Sequence, residues 1–240
     1  MDSISTPNVN YNEGWKQWDD MVRYSPAPRH RRRLVVRLID DLKFENVLDV
    51  GCGNGEMLSA VGRWHKSKMV GVDISEPIIE QNRERFPAAR FHRLDIGKEK
   101  LAEQFDLVIC SEVVEHIDDY VQALKNLRAM CRRHLVLTVP TGKVFPIDRA
   151  VGHVRHFQPA ALNEVMKEVG FSVVRSVEWG FPFHTIYKHL ANLAPEQSLN
   201  AFAGKRYGWS QHLISQALHL LFHGNLNRWG LQLILLAEAV

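Results

Sequence analysis

Residues 47–55, Val-Leu-Asp-Val-Gly-Cys-Gly-Asn-Gly, place three glycines at alternate positions directly after a short apolar run. Val47, Leu48 and Val50 read as a buried strand, and Glu56-Met57-Leu58-Ser59-Ala60-Val61 as the start of a helix. Glycine accepts positive φ and carries no side chain, so a chain bent this sharply can lie flat against a ligand. A strand, a tight turn and a helix start also present backbone N–H groups that lack intrahelical partners, which suits a carboxylate or a phosphate. Such a unit belongs in an open α/β sheet, where ligands bind beyond the carboxyl ends of the strands. The spacing narrows the ligand. A dinucleotide fingerprint needs Gly-x-Gly-x-x-Gly, but Glu56 stands where the third glycine belongs, and its carboxylate opposes a pyrophosphate. A phosphate loop fails as well, because no Gly-Lys-Ser/Thr follows.

Later strand ends extend the pattern. Met69-Val70-Gly71-Val72-Asp73 ends in an acid about 20 residues past the turn, where a ribose diol is gripped in folds of this kind. Ser75 is a good N-cap for the next helix, and Pro77 is tolerated in its first turn. Phe91-His92-Arg93-Leu94 runs into Asp95-Ile96, and Phe105–Cys110 into Ser111-Glu112-Val113-Val114-Glu115-His116-Ile117. In this order the four segments resemble the motifs of the class I S-adenosylmethionine-dependent methyltransferases, over about residues 40–180. The resemblance implies a Rossmann-like α/β fold: a seven-stranded, mostly parallel sheet, helices on both faces, an antiparallel last strand. It implies S-adenosylmethionine as cofactor, with the glycine turn Gly51, Gly53 and Gly55 at the methionyl carboxylate, Asp49 and Asn54 as further cofactor contacts, and Asp73 on the ribose. Asp95 is expected at the adenine amine, with Ile74 and Ile96 sandwiching the ring. Ser111 and Glu112 are expected near the methionyl amine or the acceptor.

Within that family the chain is most similar to the small-molecule branch that includes the ubiquinone- and menaquinone-biosynthesis methyltransferases. The basis is Val47–Gly55, Gly71–Asp73, Glu115-His116-Ile117 and the His-x-x-His-Phe stretch at 153–157. This implies methylation of a small, partly apolar metabolite, with oxygen favoured over nitrogen or carbon as the acceptor. An oxygen or nitrogen acceptor must lose a proton, and histidine is the side chain whose ordinary pKa suits that task. The candidates are His116, His153 and His156. No metal is expected, since His153 and His156 have no cysteine or acidic residue near them in sequence.

Strands are expected near 46–50, 69–73, 90–94, 105–110, 134–139 and 171–177, with a final strand at 231–237. Helices are expected near 55–65, 76–86, 118–131 and 159–169, and an irregular stretch from Lys143 to Phe157. Residues 1–45 read as an N-terminal cap that contributes substrate contacts from Tyr11 and Trp15. There Arg29, Arg33 and Arg37 recur every fourth residue, forming either a solvated basic face or a grip on an anionic substrate group. Residues 46–180 read as the cofactor-binding core and 231–240 as its last strand. Between them, 181–230 form a helical insert that serves as a lid, a dimer surface or a membrane-facing element. Its helix near 209–223 carries histidines rather than the lysines of an interfacial anchor, which argues against membrane contact.

The 240 residues suffice for one large α/β domain, as a monomer or homodimer. No apolar run reaches the ~18 residues of a bilayer span, and no signal peptide opens the chain. The three cysteines, Cys52, Cys110 and Cys131, lack metal spacing and read as reduced interior thiols, as in the cytoplasm. A net charge of +3 does not call for nucleic acid. Competing readings are an NAD-dependent oxidoreductase, which Glu56 opposes, a non-catalytic cofactor-binding partner protein, and a methyltransferase acting on RNA or protein.

Overall fold

The computed structural model describes residues 11–202 and 206–240, apart from the side chains of residues 11, 14–17 and 202. The seven strands are β1 (Asn46–Val50), β2 (Lys68–Asp73), β3 (Arg90–Arg93), β4 (Phe105–Ser111), β5 (Cys131–Pro140), β6 (Phe171–Trp179) and β7 (Gln232–Ala239). They form one sheet in the order β3-β2-β1-β4-β5-β7-β6. β7 runs antiparallel to both β5 and β6, and the other pairings are parallel. This is the expected Rossmann-like sheet with an antiparallel last strand.

Strand side chains alternate between faces, so each central strand feeds two cores. Leu48, Val50, Val108 and Cys110 join a cluster under α5 (Tyr120–Met130) and α7 (Pro159–Glu168). Val47, Leu107 and Ile109 join the opposite cluster, with residues of α2 (Pro26–Leu38), α3 (Glu56–Gly62) and α4 (Glu76–Arg85). The strand order reverses between β1 and β4, and ligand clefts of such sheets open at that reversal.

Two expectations change. The stretch 143–157 is not wholly irregular: Pro146 starts a short helix, α6 (Pro146–Ala150), and Thr141 bridges to Phe157. Asp148 accepts from the Phe145 backbone N–H at 2.9 Å, and this bond fixes that turn. β5 also starts directly where α5 ends, because Cys131 already pairs with Phe105. Beyond β6 come α8 (Phe183–Ala191), α9 (Pro195–Phe202) and α10 (Trp209–Phe222). α10 lies beside α2, which follows α1 (Tyr11–Tyr24), and buries Ser215 and Phe222. Most of its leucines point away from the core.

Candidate active site

The glycine turn after β1 folds back over β2. Gly51 and Cys52 both donate to the Val72 carbonyl, at 2.8 and 2.9 Å. Gly51, Gly53 and Gly55 take φ of +69°, +48° and +75°, the left-handed region where a side chain is strained. At Gly51 a Cβ would lie 2.3 Å from Val113 Cγ2, so the turn also needs glycine for close packing. Asp73, at the end of β2, accepts from Gly53 N–H at 2.9 Å and from Ser75 N–H at 3.0 Å. Asn82 of α4 donates to the Gly53 carbonyl at 2.6 Å. The cradle is therefore held from β2 and α4 before any ligand arrives.

Asp49 lies beneath this turn, 2% exposed, and its Oδ2 has no hydrogen-bond partner. Burial, with Asp73 adding repulsion, pushes its carboxyl up to about 8. An orphaned buried carboxyl beside a rigid glycine cradle fits a ligand that brings a cation to it. Glu56 has lost its repulsive effect: Arg23 of α1 pairs with it at 3.0 Å and Arg85 of α4 at 2.6 Å. Asn54 donates to the Asp19 carboxylate at 2.8 Å, so α1 lies across the turn.

At the end of β3, Asp95 accepts from Gly97 N–H at 3.1 Å and pairs with Lys98 at 2.8 Å. Of the two isoleucines expected to sandwich a ring, Ile74 is 40% exposed, whereas Ile96 is 5% exposed and packs within the core. At the end of β4, Ser111 Oγ lies 2.9 Å from Thr138 Oγ1. Glu112 takes φ of +57°, unusual for a non-glycine residue and costing about 1–2 kcal/mol. Two contacts secure it: Thr138 Oγ1 donates at 3.1 Å, and Arg31 of α2 pairs with its other oxygen at 3.1 Å.

Next to Glu112 the three candidate histidines converge. The His116 and His153 rings meet edge to face with centroids 4.8 Å apart, and His153 Nδ1 lies 3.1 Å from His156 Nε2. His156 Nε2 lies 3.4 Å from Asp148, whose other oxygen pairs with Lys188 of α8 at 3.1 Å. Burial, followed by the neighbouring His116, His156, Lys188 and Arg31, pushes His153 down to about 2. Burial lowers His116 and His156 as well. All three rings are thus held neutral. Glu115 is fully buried without a partner on either oxygen, and burial with Glu112 nearby raises it well above the carboxylate range. Glu115–His116–His153 and Asp148–His153–His156 each bring ligand atoms within 4.8 Å of one another. Acidic partners, which the sequence spacing of His153 and His156 did not show, are therefore supplied by tertiary structure, and this mixed donor set is one that holds divalent cations elsewhere.

Arg29 and Arg33 lie apart from this cluster, in a groove between α2, α3 and α10 that none of the three histidines lines. The side chains of Tyr11 and Trp15 fall outside the described ones. Sequence reasoning passed over Arg31, Asp148 and Lys188, and quoted Glu115 without giving it a task. Arg31 sits off the Arg29–Arg33–Arg37 row, turned toward the sheet, and only its long-range partner reveals that.

Comparison with known proteins accords with this geometry. The profile of the methyltransferase domain family matches residues 23–176, well over half of the chain. The chain belongs to that family. By fold and cofactor it is a class I S-adenosylmethionine-dependent methyltransferase. Among curated relatives, a ubiquinone biosynthesis O-methyltransferase of Coxiella burnetii is 33% identical over 112 residues, covering 43% of each chain. A trans-aconitate 2-methyltransferase of an Enterobacter species is 29% identical over 118 residues, 49% of this chain and 45% of that protein. The chain thus spans under half the length of these relatives. Among solved structures, the N-methyltransferase NodS of Bradyrhizobium japonicum with S-adenosyl-L-homocysteine superposes with a TM-score of 0.60 at 18% identity, covering 92% of both chains. The [4+2]-cyclase SpnF superposes with a TM-score of 0.61 at 19% identity, covering 89% of this chain and 81% of its own. At such identities the likeness concerns the fold, which also carries chemistry other than methylation.

Proposed function

We propose that the chain moves a methyl group from S-adenosylmethionine to an oxygen of a small, partly apolar metabolite, in the cytoplasm. The observation that carries this reading is the convergence of three neutral histidines beside Glu112, at the sheet edge where the glycine cradle also opens. Bound S-adenosylmethionine supplies an electrophilic methyl group on a sulfonium. Asp49, Gly51, Gly53, Asn54 and Gly55 hold its methionyl end, and Asp49 answers its charge. Asp73 takes the ribose, Asp95 the adenine amine, and Ile74 with the core-packed Ile96 flanks the ring. Ser111 and Glu112 would stand near the methionyl amine or the acceptor. Residues 46–180 and 231–240 thus form the cofactor core, 1–45 its cap and 181–230 an insert that reaches the site through Lys188.

Transfer is an in-line displacement. Held there, the sulfonium methyl would be open to attack by the acceptor oxygen, with the S–C electron pair going to sulfur as the C–O bond forms. The acceptor's proton passes to the neutral His153 or His116; at His153 the imidazolium's Nδ1–H donates to His156 Nε2, and the Asp148 carboxylate, 3.4 Å from that nitrogen, stabilises the cation by its charge. Support for oxygen comes from the curated relatives, whose printed names include O-methyltransferases. A nitrogen acceptor fits the same proton path. The three cysteines are free and buried, in keeping with a reducing compartment. Among the described residues no helix is long and apolar enough to cross a membrane.

The test is incubation of a metabolite extract from the source cells with methyl-labelled S-adenosylmethionine, followed by mass identification of the products. A labelled methyl ether or ester supports the proposal, and label only on carbon, RNA or protein overturns it.

A further inference from the structure

Among the described residues, eleven of the fifteen large hydrophobic side chains that stand exposed fall between Phe181 and Trp229, so the insert carries most of the uncovered apolar surface. The outward side of α10 holds Trp209, Leu213, Ile214, Leu220 and Leu221, with exposures of 81, 62 and 60% at Trp209, Leu213 and Leu220. This helix contains no acidic residue. Beside it runs a groove of about 1270 Å³ in which Trp209 and Leu213 face Arg29, Arg33 and Arg37 of α2 and Arg63 at the end of α3. Of these arginines Arg29 has a neutral partner, Gln216, at 2.9 Å, and no ion pair engages any of the four among the described residues. The groove's two acids are Asp40 and Glu56, and Glu56 is already held by Arg23 and Arg85.

We propose that this face, the outer side of α10 together with the α2 arginine row, docks on the surface of an anionic phospholipid bilayer. An apolar strip with cations at its border matches acyl chains bordered by phosphates, with the helix lying in the plane of the interface. The histidines of α10 had argued against membrane contact when that helix was read alone. The cations come from α2, some 180 positions earlier in the chain, and packing brings them to its flank. Charge selects among the occupants. A second copy would set one arginine row against another, and like charges repel. A polynucleotide would satisfy the arginines but leave Leu213, Ile214, Leu220 and Leu221 against water. A bilayer satisfies both. The inference is independent of the methyl acceptor's identity.

The experiment is sedimentation of the full chain with vesicles of equal parts phosphatidylglycerol and phosphatidylcholine, against pure phosphatidylcholine. The expected result is binding to the mixed vesicles, a blue shift of tryptophan emission, and little binding to the neutral ones. Arg33→Ala and Arg37→Ala should each weaken binding about fivefold. Leu213→Glu with Leu220→Glu should abolish it; both positions are exposed, and an unchanged melting temperature would show that the fold is intact. Equal binding to neutral vesicles, no binding to either, or retention by the double glutamate variant overturns the proposal. So does oligonucleotide binding that removes the vesicle signal, or a stable dimer that the glutamates disrupt.

Discussion

Asp49 gives the most direct physical test of the cofactor site. Its carboxyl stands at about 8 against an ordinary 3.8, because the fold encloses it without a partner and next to Asp73. At pH 7 such a group is about nine-tenths protonated. Bringing a cation within hydrogen-bonding reach lowers a carboxyl by ~1–3 units, and a drop of about 2 leaves it about one-tenth protonated. Binding S-adenosylmethionine should therefore release about 0.8 proton per site at pH 7. His153, already neutral, adds nothing near that pH. Titration calorimetry in phosphate and in Tris reads this as a difference in apparent enthalpy that scales with each buffer's ionisation heat. In Asp49→Asn the difference should vanish and the affinity fall. The same group makes a stability prediction with a defined sign. Its folded pKa is raised, so the folded chain keeps a proton that the unfolded chain gives up, and stability decreases as pH climbs from about 4 to about 8. Asp49→Asn should make that slope shallower in the apo protein, the raised Glu115 and Asp73 carboxyls keeping the rest. A wild type that binds the cofactor with no proton release, or an Asn variant with the same release, would refute the placement of Asp49 against the cofactor's charge.

Gly51→Ala should cost about 1–3 kcal/mol, since it strains a φ of +69° and drives a methyl into Val113; melting experiments with calorimetry check it, and an unshifted transition with normal cofactor binding counts against the cradle. Arg31→Ala should destabilise by about 1–3 kcal/mol by leaving the part-buried Glu112 unpaired, and adding Glu112→Gln should recover part of that loss; denaturant titration of the cycle decides, with strict additivity as the adverse result. His153→Ala should lower the methylation rate by ~10²-fold, the low end for a positioned base because burial makes this ring a weak one, with cofactor affinity unchanged. The rate in the parent enzyme should show no limb near pH 6.5 belonging to His153, because burial holds that ring far below its ordinary value; a limb there that the alanine variant removes would show that it titrates normally.

The strands and the glycine turn were legible because each rests on neighbours in sequence. Val47, Leu48 and Val50 make a short apolar run, and three glycines in five residues leave few conformations open. The strand-end positions of the expected cofactor contacts were legible for the same reason. In an open parallel sheet the residues that meet a ligand are the ones just past each strand, so Asp73, Asp95 and Glu112 announce themselves by position. The acceptor side is assembled differently. Lys188 reaches Asp148 across 40 positions, and Arg31 reaches Glu112 across 81, and no periodicity records either meeting. The irregular reading of 143–157 failed because the helix there is five residues long, too short to show a period.

That contrast bears on how the site works. The cradle is set by short bonds within the sheet, Gly53 and Ser75 to Asp73 and Gly51 to Val72, so it exists before any ligand binds. Pre-formed donors of this kind lower the ordering cost of binding a ligand. The histidine cluster meets α2 through the Arg31–Glu112 pair and the insert through the Lys188–Asp148 pair, on elements that also pack Val35, Leu38 and Phe222 against the sheet. Those two elements are the same two that carry the basic row and the uncovered apolar face. An acceptor that is partly apolar and partitions into a bilayer would meet the protein at a surface carried by the two elements that also reach the histidine cluster.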